Sequence, residues 1–119
     1  MAATCASAGD KAFDRYKSEL VVRYGSLTPM LDKPEFHFNS RLNTCLMKVG
    51  HWSTVPGTER RPGTQDSDLL NEVIDVYANK TVISGGQENR FDLNGKLQTK
   101  LIGTNPLDFN EKAKTLMTE

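Results

Sequence analysis

The chain contains two cysteines, Cys5 and Cys45, and each falls in a stretch whose apolar residues keep a different period. Around Cys5 the period is helical: Cys5, Ala8, Ala12, Tyr16 and Leu20 recur every three or four residues, with Phe13 and Tyr24 alongside. Around Cys45 it is two: Asn43, Cys45, Met47 and Val49 share one face of a strand, and Leu42, Thr44, Leu46 and Lys48 share the other. Both sulfurs therefore point toward apolar neighbours, and a helix laid on a sheet brings them into one layer. In an oxidising compartment the pair closes a loop of about 40 residues, worth roughly 4 kcal/mol on the chain-entropy model. In a reducing cytosol the same two residues serve as small buried hydrophobes. A zinc site is not expected, because no C-x-x-C spacing is present.

At 119 residues the chain suits one domain, residues 1–119, with a single core. Hydrophobic residues at 37% and charged residues at 25% place it among ordinary globular chains, with little apolar content to spare. Fifteen basic residues balance fifteen acidic ones, which argues against a nucleic-acid partner held through many phosphates. No apolar run approaches the roughly 20 residues of a transmembrane helix. The opening Met-Ala-Ala-Thr-Cys lacks the charged head and apolar stretch of a signal peptide, so the expectation is a cytoplasmic chain or one whose export signal has been removed.

Further along, Gly25 stands where a helix C-cap glycine is favoured, and Pro29 and Pro34 stop the first helix from continuing. Glu35 to Asn39 and Leu42 to Val49 read as a hairpin, and Leu70 to Tyr77 with Thr81 to Ser84 as a second one turning at Ala78-Asn79-Lys80. Residues 53–68 carry two prolines, two glycines and one aliphatic side chain, and are expected to form a mobile loop. Gly85-Gly86 reads as a turn, and Phe91 to Ile102 is compatible with a third hairpin at Asn94-Gly95. Asn105-Pro106 begins a short C-terminal helix bearing Phe109, Ala113, Leu116 and Met117. The order predicts an α+β fold: an antiparallel sheet of about four to six strands with both helices on one face.

The segment His37-Phe38-Asn39-Ser40-Arg41-Leu42-Asn43-Thr44-Cys45-Leu46 resembles a pattern of His-Tyr-Asn, two variable residues, Leu-Asn and then a cysteine, found in small uncharacterised bacterial exported proteins and lipoproteins. Cys5 matches a cysteine in the preceding helix of that family, and Asp75-Val76-Tyr77 a later Asp-Val-Tyr. Residues 5 to 50 and 70 to 84 carry the resemblance, with Phe38 standing where Tyr is usual. It implies export, a periplasmic or similar location and a Cys5–Cys45 bridge. No activity follows from it.

Candidate chemistry is sparse. His37 or His51 with Asp75 or Glu72 would make an acid/base pair if the fold brought them together, the route to a small hydrolase or lyase. Ser40 and Ser84 lack a nucleophile elbow, and Cys45 on an alternating strand is placed for burial rather than thiol catalysis. Arg41, between Asn39 and Asn43, has the fork to clamp a carboxylate, although turn chemistry for the asparagines and a water-facing Arg41 is the favoured reading. Glu59-Arg60-Arg61 is a small charge cluster of the kind solvent usually covers. Trp52 either seals the core edge or marks a ligand rim. The residues singled out for binding are thus His37, Arg41, Trp52 and Asp75, with Cys5 and Cys45 as the disulfide; no catalytic set, metal set or cofactor motif is identified. The leading expectation is an exported or envelope-associated binding module for a protein or small ligand. A structural domain that forms a homodimer through an unpaired strand edge is a further alternative.

Overall fold

The computed structural model describes residues 2–25, 30–56, 58 and 64–119. Its elements are α1 (Ala2–Tyr24), β1 (Met30–Leu31), β2 (Glu35–Asn39), β3 (Thr44–Thr54), β4 (Ser67–Asp75), β5 (Lys80–Phe91), β6 (Leu97–Gly103) and α2 (Pro106–Leu116). The strands form one antiparallel sheet in the order β1-β3-β4-β5-β6, with β2 paired to the same side of β3 as β1. No helix among the described residues is long and apolar enough to cross a membrane.

Local chemistry sets the element ends. Gly25 adopts φ 77° and donates its N–H to the Val21 carbonyl at 2.8 Å, closing α1 as a left-handed cap residue does. Asn105 caps α2 by accepting from the Asp108 N–H at 2.9 Å, with Pro106 in the first turn. Asn79 (φ 52°) and Gly95 (φ 80°) supply the positive φ of the β4–β5 and β5–β6 turns.

The buried stripe of α1, Cys5, Ala12, Tyr16, Leu20 and Tyr24, packs on Cys45, Met47 and Val49 of β3. Cys5 and Cys45 are joined by a disulfide, with sulfurs 2.08 Å and Cα atoms 5.2 Å apart. The helix comes close to β2 at Gly9, where an added Cβ would enter the Phe36 ring. A second core lies across the sheet, formed by Leu46, Val73, Phe109 and Ala113 with Ile83 against them.

The α+β architecture is the expected one, with one correction: the helices cover opposite faces. Both sides of β3 are apolar at Cys45-Leu46-Met47, so once α1 occupies one side, Phe109 and Ala113 bury themselves on the other. Gly85-Gly86 is likewise not a turn but the buried centre of β5. A Cβ on Gly85 would lie 2.9 Å from the Phe109 Cβ, and one on Gly86 would enter the Leu69 carbonyl. The 53–68 loop is shorter than expected, since β3 runs to Thr54 and β4 starts at Ser67. Its stems are joined by Val55 N–H to Asp66 O at 2.8 Å and by Asp66 N–H to Thr58 Oγ1 at 3.0 Å. Residues 57 and 59–63 of that loop, the Glu59-Arg60-Arg61 cluster included, lie outside the described residues.

Candidate functional site

The sheet register separates the binding residues expected from sequence. His37 and Asp75 both pair with Leu46, from opposite sides of β3, so they share the α2 face two strands apart, about 10 Å by ordinary strand spacing. Asp75 is occupied: it accepts from Thr44 Oγ1 at 2.7 Å and from the Ala78 N–H at 3.0 Å, holding the β4–β5 turn. His51 lies on the α1 face, and alternation along β3 puts it on the other side of the sheet from Asp75. The His51–Asp75 acid/base pair is therefore not formed. Trp52 is 42% exposed on the α2 face, six residues along β3 from Leu46.

Arg41 does clamp a carboxylate, but an internal one: its Nη1 contacts Glu119 Oε2 at 3.1 Å. Ser40 donates to the Glu119 carbonyl at 2.8 Å, and the fully buried Asn39 donates to the Leu116 carbonyl at 2.9 Å while accepting from the Leu42 N–H. The polar cluster of the first hairpin thus anchors the end of α2.

The residues that converge are others. α1 covers the β2 and β3 side of its face and leaves a cleft of about 310 Å³ toward β4 and β5. Tyr16, Glu19, Leu20 and Arg23, at helical spacing, form one wall. His51 of β3 and Leu70, Glu72 and Ile74 of β4 form the floor, where period two turns all three β4 side chains toward α1. Arg15 Nη2 donates to Asn79 Oδ1 at 3.0 Å, tying α1 to the β4–β5 turn at one end.

Electrostatics in the cleft are those of charge held away from water. The His51 ring is buried beside Tyr16 and Tyr24, with ring centroids at 6.2 and 5.4 Å, and its Nδ1 meets Ser53 Oγ at 2.8 Å. Among the described residues its Nε2 and the Tyr16 Oη have no hydrogen-bond partner, although both residues are more than nine-tenths buried. Burial pushes the His51 ring below the usual imidazole range, against the pull of the Asp68 carboxylate. Burial also raises the Tyr16 phenol, and the nearby Glu72 charge adds to it. Glu72 itself is raised by burial and by Glu19, with Arg23 opposing. Such an arrangement can donate and accept hydrogen bonds to a small polar molecule and can hold a proton on Glu72 at higher pH than a free carboxylate would.

Sequence reading reached His51 and Glu72 but not Tyr16, Glu19 or Arg23. One signal was there: Glu72 interrupts the apolar series Leu70, Ile74 on a face that a helix covers, and Glu19 and Arg23 border the buried stripe of α1. His37 Nε2 is a second buried nitrogen without a partner among the described residues, on the α2 face and away from the cleft. No group of three or more potential metal ligands occurs among the described residues. Compared with protein-family models, with curated proteins and with solved structures, the chain gives no match.

Proposed function

We propose that the chain is a small exported binding module that holds a polar small molecule in the cleft between α1 and β4. The observation that carries this reading is the pair of buried groups that lack a partner among the described residues, His51 Nε2 in the cleft floor and Tyr16 Oη in its wall. A buried polar atom without a partner costs about 1–3 kcal/mol, and a ligand that supplies the missing donor or acceptor recovers it. The cleft volume falls at the lower end of the range for small-molecule sites. Glu72, Glu19 and Arg23 provide charges of both signs, which favours a ligand with both donor and acceptor groups. The disulfide supports an oxidising compartment, as does the resemblance of the His37–Leu46 segment to exported bacterial proteins.

The test is ring-nitrogen NMR of isotope-labelled histidine during titration with a defined panel of amino acids, small carboxylates, amines and monosaccharides. At least one compound class is expected to move the His51 resonances saturably, and Tyr16→Phe is expected to weaken that compound by about fivefold to tenfold, one lost hydrogen bond. Saturable binding that leaves His51 unmoved would assign the ligand to another surface.

A further inference from the structure

We infer that a second copy of this chain docks on the open edge of β6, antiparallel and centred on Thr99, extending both sheets into one. Among the described residues β6 pairs with β5 on one side only, and nothing else in the sheet order follows it. Which of its backbone groups are open follows from three hydrogen bonds. Phe91 of β5 gives its N–H to Asp66 Oδ1 at 2.9 Å, on the β4 side, so the pair Phe91–Leu97 is not hydrogen-bonded across β5 and β6. Asp92 N–H instead donates to the Lys96 carbonyl at 3.0 Å, and Thr104 N–H to the Ser84 carbonyl at 2.9 Å. Even-numbered residues of the β6 hairpin arm therefore face β5, and Leu97, Thr99 and Leu101 present N–H and C=O outward.

The register follows from charge. A two-fold axis at Lys100 sets Lys100 directly against its copy, and one at Gln98 sets Lys96 against Lys100, both like-charge pairs that destabilise antiparallel strands. An axis at Leu101 draws Gly103, at φ 65°, into the ladder and leaves Leu97 unpaired. An axis at Thr99 avoids all of this. It pairs Thr99 with Thr99, Leu97 with Leu101 and Gln98 with Lys100, and makes a hydrogen-bonded pair at its centre. Leu97 and Leu101 are 50% and 54% exposed on the α2 face, where Phe91 lies beside Leu97 across β5. The contact is isologous and closes on itself, so it ends at two copies.

The experiment is sedimentation equilibrium of the intact, oxidised chain up to about 0.5 mM, a range that captures even a weak self-association. A dimer is expected. Thr99→Pro removes an outward N–H and none that pairs with β5, so it is expected to raise the dissociation constant at least about tenfold with the circular dichroism spectrum retained. The register is read by two double variants that put charges at the same positions. L97K/L101K sets lysine against lysine and is expected to be monomeric, whereas L97E/L101K sets glutamate against lysine and is expected to dimerise. A chain that stays monomeric throughout, or double variants with equal dissociation constants, overturns the inference. So does a folded Thr99→Pro variant that dimerises as tightly as the parent, and if that variant unfolds the leucine pair decides.

Discussion

The Tyr24 hydroxyl donates to Asp68 Oδ2 at 2.7 Å and so ties the last turn of α1 to the start of β4. Asp68 meets Arg90 on its other oxygen, Oδ1 to Nη2 at 2.8 Å, so one carboxylate links α1, β4 and β5. Tyr24 also packs against the His51 ring, with centroids 5.4 Å apart, so this contact supports a residue of the cleft floor. Tyr24→Phe is expected to lower stability by about 1–2 kcal/mol, the range for a hydrogen bond to a charged group that is partly screened. Urea unfolding of Tyr24→Phe, Asp68→Asn and the double variant measures it. Additive losses would show that the two groups do not act through each other.

Reducing the Cys5–Cys45 bridge opens a loop with a sequence separation of 40 residues. The double variant Cys5→Ser/Cys45→Ser is expected to lose roughly 4 kcal/mol on the chain-entropy model, less any structure kept in the unfolded chain. A shift in the urea midpoint reports the loss. Intact mass after alkylation gives the companion result: neither thiol labels in denaturant until reductant is added.

How much of this was legible depended on whether a residue's role was set by its neighbours in sequence or by an element far away. The α1 stripe, the Gly25 and Asn105 caps and the Asn94-Gly95 turn are local, and they are where sequence puts them. Gly85-Gly86 carries the local signature of a turn, yet its role is set by Phe109 and by the Leu69 backbone, both distant in the chain. Arg41 failed in the same way, because its carboxylate partner is Glu119. The cleft needed two patterns to be superimposed, the helical series Tyr16, Glu19, Arg23 and the alternating series Leu70, Glu72, Ile74, and no spacing within either says that they face each other.

The β5 glycines give a direct check of that long-range role. Gly86→Ala would drive a methyl into the Leu69 carbonyl, and backbone there cannot rotate away as a side chain would. A loss of about 3 kcal/mol is expected, at the upper end for overpacking. Gly25→Ala has open space around the new Cβ but needs φ 77°, so its expected loss is about 1 kcal/mol. Equal losses in thermal unfolding would argue against a packed β4–β5 centre.

Glu72 is a cost the fold bears at neutral pH. Its raised carboxyl takes up protons more readily in the folded chain than in the unfolded one, so the favourable contribution exists below the unfolded value of 4.5 and disappears as pH rises through the folded value. Above that range the burial of the group opposes folding, and Glu72→Gln is expected to raise the unfolding midpoint at pH 7. The same variant is expected to weaken any ligand that contacts the cleft floor, the usual exchange of stability for function at a site. A midpoint that stays unchanged at pH 7 and at pH 4 would mean that Glu72 is solvated in both states.

His51 has the opposite sign. Its pKa is lowered by burial, so below the ordinary imidazole value of 6.5 the unfolded chain binds a proton that the folded chain resists. Stability then falls as pH drops from about 6.5 toward the folded value, and it is unaffected well above, where the ring is neutral in both states. Parent and His51→Gln are compared by urea unfolding across this range, because the difference between them cancels the carboxylates common to both. That difference should be flat above about pH 7.5 and should shrink steadily in favour of the variant below 6.5. A flat difference throughout would mean that water or a counter-charge reaches Nε2. With that nitrogen already satisfied, only Tyr16 Oη of the two buried groups would be left to offer a ligand.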